Sequence, residues 1–252
     1  MDRDPKSLRS SRFILKAMRQ NFIRRSLRLA SVVAAGFLLL SVATAQNHDP
    51  LVTGSLPAIE GITGPITWQN PPTNWKIENK STLTIEAGKK TDWFASPMDD
   101  YRVNNTPRLL FKPAEDFVLS AKVTVDFHSH WDSGALVLYV NDSLWAKLCF
   151  EMTLEKHPAI VSVVTRDTSD DNNSIPIDGP SVYLKVAKNG LGIFFYASQD
   201  GQNWSIIRSF SLGSAPDLHI GFSSQSPAGD GCKTVFSQIQ YLPGKVDLWS
   251  GK

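Results

Sequence analysis

The chain has 252 residues, 42% hydrophobic and 20% charged, with a formal net charge of +2, which is ordinary for a globular protein that buries a sizeable core. Nine of its 26 Lys/Arg and two of its 24 Asp/Glu fall in residues 1–45, so the remainder carries 17 basic against 22 acidic residues. A mildly acidic body without a basic patch argues against a nucleic-acid partner.

Residues 1–45 read as an export signal. A basic region ending Arg24-Arg25-Ser26-Leu27-Arg28 precedes an apolar run at 29–42, and Ala43-Thr44-Ala45 supplies the small residues that a signal peptidase requires. The run is about 14 residues long, short of the roughly 20 that span a bilayer, and a membrane anchor is the alternative. The expected location is secreted or periplasmic, with the mature chain starting near Gln46 and no membrane partner after cleavage. Met18 is an alternative start.

Residues 46–65 are rich in Gly, Pro, Ser and Thr and read as a linker or loosely held arm. Short strands then follow at close spacing, at 66–75 (with Pro71-Pro72 inside), 83–87, 91–95, 108–111, 117–127 and 134–140. The last of these is apolar on both faces, as a central strand is. Further strands are expected at 160–165, 181–187, 191–198, 204–210, 218–223 and 234–241. Lys188-Asn189-Gly190 and Gln199-Asp200-Gly201-Gln202 supply hairpin turns. No run of ten or more residues keeps a helical period. About a dozen strands predict an all-β sandwich or barrel, one domain at 66–245 with a tail at 246–252.

Residues 144–155 have two unlike faces, because strand side chains alternate. Leu144, Ala146, Leu148, Phe150, Met152 and Leu154 form an apolar face. Trp145, Lys147, Cys149, Glu151, Thr153 and Glu155 form the other. One apolar face suffices to build a core, so the second face is read as the floor of a binding groove. Cys149 and Cys232 either bridge a long loop or stand as two buried thiols.

The chain resembles the DUF1349 family across nearly all of residues 66–243. The resemblance rests on Thr91-Asp92-Trp93-Phe94, Asn105-Thr106-Pro107-Arg108-Leu109-Leu110, Asp116-Phe117 and Trp131-Asp132-Ser133-Gly134-Ala135-Leu136. It continues with Trp145-Ala146-Lys147-Leu148-Cys149-Phe150-Glu151, Ser162-Val163-Val164-Thr165 and Ser198-Gln199-Asp200-Gly201-Gln202-Asn203-Trp204, and closes with Gln225-Ser226-Pro227-Ala228-Gly229-Asp230-Gly231. It implies a two-sheet antiparallel jelly roll of the concanavalin A-like lectin/glucanase type, in which the concave sheet carries the ligand groove. Function transfers only by analogy.

Trp145, Lys147 and Glu151 then suit a glycan or similar polyhydroxylated ligand. An indole offers a flat apolar surface to a sugar ring, and Lys and Glu bond its hydroxyls. Asp132, Arg166 and Asp92 are expected neighbours, with Trp93, Asn104 and Asn105 at a rim. The other reading is a surface Lys–Glu pair beside a covering aromatic. Glycoside hydrolysis needs two carboxylates about 5–9.5 Å apart, and Glu151 and Glu155 lie roughly 13 Å apart along a strand. The resemblance implies a closely spaced acidic motif in glucanases, and its middle acid is missing here. Hydrolysis would need a partner such as Asp132 or Asp126. A non-catalytic binding domain is the main expectation, with a glycan-cleaving enzyme or a protein-interaction module as alternatives.

His128, His130 and Asp132 stand at alternate positions before Gly134, where a turn is expected. They read as loop histidines rather than a metal pair. Residues 167–178 are dense in carboxylate and amide oxygens. They read as a polar turn cluster, with calcium as the one possible cofactor.

Overall fold

The computed structural model describes Leu56 and residues 58–251. The expected signal at 1–45, and most of the expected linker, lie outside the described residues. The fold is a two-sheet antiparallel jelly-roll sandwich, with no helix among the described residues.

Its strands are β1 Ile66–Gln69, β2 Asn74–Glu78, β3 Thr82–Gly88, β4 Trp93–Ala95, β5 Arg102–Asn104, β6 Arg108–Phe111, β7 Phe117–Asp126 and β8 Ser133–Asn141. They continue as β9 Leu144–Met152, β10 Pro158–Arg166, β11 Thr168–Pro176, β12 Ser181–Asn189, β13 Gly192–Ser198, β14 Ser205–Phe210, β15 His219–Gln225 and β16 Gly231–Pro243. The first sheet runs β1-β6-β15-β8-β9-β10-β11, and the second runs β14-β13-β12-β7-β16-β3-β2. Strands β4 and β5 form a separate two-stranded ribbon.

Alternation explains the core. Leu136 and Leu138 of β8, Ala146, Leu148 and Phe150 of β9, and Ile160 and Val164 of β10 turn inward. They meet Leu119, Ala121, Val123 and Val125 of β7 and Leu184 and Val186 of β12. Each fully buried large apolar side chain contributes about 1.5–3 kcal/mol. Gly134 keeps the sheets close at one point, because a Cβ there would lie 2.3 Å from Thr234 Cγ2.

The sequence reading differs from the structure at three places. Strand β9 stops at Met152, and residues 153–156 turn, with Lys156 at φ 60°; Glu155 is therefore not on the strand. Residues 167–178 are not a turn cluster, since most of them form β11, an edge strand paired with β10. The arm near residue 60 is not loose, because Ile59 and Ile62 are buried in the core. The tail is also docked. Asn189 Nδ2 donates to the Val246 carbonyl at 2.6 Å and Lys185 Nζ to the Gly251 carbonyl at 2.7 Å.

The two cysteines are free and buried on different surfaces. Cys149 belongs to the outer face of the first sheet, and Cys232 to the core between the sheets. This settles their reading as two thiols.

Candidate functional site

The outer face of the first sheet has a small core of its own. Ala135 and Val137 of β8, Trp145 and Cys149 of β9, and Val161 and Val163 of β10 pack together with Leu110 and Trp93. Trp93 arrives on the β4–β5 ribbon, which lies over this face. Ala95 N–H donates to Ser169 Oγ of β11 at 3.1 Å. Trp93 stacks on Trp145 with ring centroids 4.0 Å apart and an interplanar angle of 21°. The Arg108 guanidinium sits 4.1 Å from the Trp93 ring centroid.

Beside the ribbon opens a pocket of about 430 Å³. Val161 and Val163 belong to its floor, and Phe94, Tyr101, Trp131 and Pro227 contribute apolar surface. Its polar groups are Asp92, Lys147, Glu151, Asp171 and Gln225. The strand register explains the gathering. Lys147 pairs with Val163, which pairs with Asp171, so β9, β10 and β11 present these side chains in one row. Glu151 lies four residues further along β9, on the same face. Gln225 faces Ser133, and Ser133 faces Glu151.

Lys147 is 3% exposed. Its Nζ donates to the Trp93 carbonyl and to Gln225 Oε1, both at 2.9 Å. Burial pushes its pKa down, but electrostatic coupling to Cys149, Asp92, Glu151 and Asp171 more than offsets this, leaving it raised. Glu151 is 7% exposed. Burial drives its carboxyl up, Lys147 draws it back in part, and Asp171 and Asp92 push it further, to about 8. Burial also raises Asp171.

Of the six residues expected from sequence, the structure brings Asp92, Lys147 and Glu151 together. It places the other three elsewhere. Trp145 is 1% exposed, its ring covered by Trp93, so it has no free face to stack on a ligand. Asp132 is fully buried. Its Oδ2 accepts from the His128 and Ser129 N–H groups, both at 2.8 Å, and its Oδ1 accepts from Ser226 Oγ at 2.7 Å. It holds a turn together rather than lining the pocket. Arg166 does not line the pocket, and its guanidinium bonds the Ser211 carbonyl.

The rim asparagines are structural. Asn105 Oδ1 accepts from Asp92 N–H at 2.7 Å, and Asn104 Nδ2 donates to Asp142 Oδ1 at 2.9 Å. His128 lies 3.3 Å from Asp126, and His130 contacts the Thr153 carbonyl at 2.9 Å, both off the pocket. Among the described residues no group of three or more His, Cys, Asp or Glu is placed to hold a metal. Along β11 the acidic side chains diverge, Asp170 pairing with Arg208 at 2.8 Å while Asp171 lines the pocket.

Sequence reasoning missed Gln225, Tyr101 and Trp131, and reached Asp171 only as part of the polar segment at 167–178. Trp131 is the most informative. It is 40% exposed and holds φ at +65°, a left-handed conformation unusual for a bulky residue. Its N–H donates to the Met152 carbonyl at 2.7 Å, and the Asp132 bonds fix the same turn. Backbone strain of this kind gathers at ligand sites. A visible signal existed in the Trp131-Asp132-Ser133-Gly134 turn.

A second hollow of about 520 Å³ lies elsewhere, bordered by Lys112, Glu115, Lys188 and the Gly213–Pro216 turn. Lys188 there is bonded to the Glu115 carbonyl at 2.7 Å. It lacks aromatic surface and buried ionisable groups, so the outer-face pocket is the stronger candidate.

Comparison with known proteins fits the fold. A functionally unknown protein from Saccharomyces cerevisiae superposes with a TM-score of 0.66 at 21% identity, over 72% of this chain and 97% of its own. The GH43 BlXynB protein from Bacillus licheniformis gives 0.56 at 16% identity, over 71% of this chain and 37% of its own. The Bacteroides ovatus xyloglucan PUL GH43B gives 0.54 at 14% identity, over 73% and 38%. This chain thus spans little more than a third of those two GH43 proteins. No curated protein matches the sequence. Residues 68–243 match the family described as protein of unknown function (DUF1349), and the chain belongs to that family.

Proposed function

We propose that this is an exported lectin-like domain that binds a carbohydrate or similar polyhydroxylated ligand in the pocket on the outer face of its first sheet. One observation carries the reading. In a hollow of about 430 Å³, the exposed aromatics Tyr101 and Trp131 face buried Lys147 and Glu151, with Asp92, Asp171 and Gln225 beside them. Apolar walls with a few convergent polar groups are what such ligands need. Trp131 takes the stacking role that Trp145 cannot fill. The fold shared with parts of GH43 proteins is compatible with this but carries no activity over. A glycan-array screen of the purified protein tests the reading. Binding is expected, and binding unchanged in Trp131→Ala would remove the stacking role.

A second reading is glycan cleavage, and a specific observation favours it. Burial keeps Glu151 protonated to about pH 8, as a general acid requires, and the Asp171 and Asp92 carboxyls line the same pocket. Reducing-sugar release abolished in Glu151→Gln would establish it. Export is tested separately by sequencing the N-terminus of protein recovered outside the cytoplasm, where Gln46 is the expected first residue.

A further inference from the structure

The outer-face pocket gathers more carboxyl groups than the chain pairs. Asp92, Glu151 and Asp171 line it with one cation, Lys147. That lysine is already committed to the Trp93 carbonyl and Gln225 Oε1. Among the described residues, none of the three carboxylates takes part in an ion pair. Glu151 is 7% exposed, opens on the pocket, and accepts no hydrogen bond among the described residues. A buried carboxyl without a donor is costly unless something else supplies one. The aromatic faces of Tyr101 and Trp131 stand across the same hollow, and such faces attract cations.

We propose that the sugar taken by this pocket carries a free, protonated amine, set against Glu151 and Asp171 with Tyr101 and Trp131 beside it. This rests on the carbohydrate reading above and names the sugar class. An ammonium has three donors and no acceptor, which suits a pocket short of donors and rich in carboxylate oxygens. A neutral or N-acetylated sugar leaves these carboxyl groups unpaired.

The groups facing Glu151 are Lys147 and Cys149 from its own strand, Asp171 from β11 and Asp92 from the residue preceding β4. Tyr101 comes from the ribbon's loop, and Gln225 of β15 is uncharged. Burial, reinforced by Asp171 and Asp92, holds Glu151 protonated near neutrality against the pull of Lys147. An arriving cation favours its ionised form, so binding at pH 6.5 releases a proton to solvent.

The test is calorimetric titration of the purified protein at pH 6.5 with four probes: glucosamine tetrasaccharide, its N-acetylated counterpart, xylotetraose and spermidine. The glucosamine oligomer is expected to bind roughly ten- to hundredfold tighter than the N-acetylated one, the worth of one charge-assisted hydrogen bond. Added salt should narrow the gap, and enthalpies in buffers of different ionisation heat should show proton release. Glu151→Gln should abolish that release, and Asp171→Asn should shrink the preference. A thermal melt of each variant separates misfolding from a lost contact. Equal or tighter binding of xylotetraose overturns the amine and leaves the carbohydrate reading intact. Spermidine binding as tightly as the glucosamine oligomer overturns the sugar, and no binding by any probe overturns both.

Discussion

Trp131 and Trp145 should respond to mutation in opposite ways. Trp145 is sealed beneath Trp93, and its replacement by alanine should cost about 3–5 kcal/mol of stability. Trp131→Gly should instead keep or raise the melting temperature, because glycine relieves a φ of +65° that costs an L-residue roughly 1–2 kcal/mol. Ligand affinity should nonetheless fall. Paired thermal melts and binding titrations check both halves. Glu151 makes a pH prediction. Its pKa is about 8 in the folded chain against an ordinary 4.5, so the folded state binds the extra proton between those values. Its contribution is complete below about pH 4.5 and is lost as pH rises through 8. Melts across that range should fall more steeply for the native protein than for Glu151→Gln. At this scale the sequence was only partly legible. Alternation placed Trp145, Lys147 and Glu151 on one face, but it carries no information on what covers that face. Trp93, 52 residues earlier in the chain, provides the cover.

At the scale of elements, the β4–β5 ribbon and the tail do parallel jobs on opposite outer faces. The ribbon shields one half of the first sheet's face and leaves the pocket. The tail lies on Val118, Ala187, Phe194 and Tyr196 of the second sheet. There Lys185 Nζ stands 3.7 Å from the Trp204 ring centroid, and burial lowers its pKa to about 8. Deleting residues 246–252 removes the acceptor at Gly251 and uncovers Phe194 and Tyr196. A lower melting temperature and new binding of a hydrophobic dye are expected. Strand β11 was the hardest element to read. Thr168–Pro176 is polar because it is an edge strand, where charge discourages pairing with other chains. That same polarity is what makes a sequence look like a loop. The central strands were legible because both of their faces are buried.

For the whole molecule, the buried thiols give a direct check. Cys149 is fully buried and Cys232 is 4% exposed, and burial raises both pKa values, Cys232 to about 12. The native protein should not react with a thiol reagent, and the denatured protein should react at two sites. A single reactive thiol in the native state would contradict the placement of one cysteine on each side of the first sheet. The sandwich itself was legible from the strand count and the turn signals. The order of strands within each sheet was not, since it depends on pairings between distant segments.

Strand β16 carries a temporal consequence. It is drawn from residues 231–243 yet sits in the middle of the second sheet, between β7 and β3. Until those residues leave the ribosome, β3 has no route to β7, and Cys232, Phe236 and Ile239 are missing from the core. The sandwich therefore cannot close until residues 231–243 have been made, and pairings so far apart in the chain are slow to form. Until that point the nascent chain carries strands without their partners. It also depends in that interval on something to keep its unpaired strands from one another.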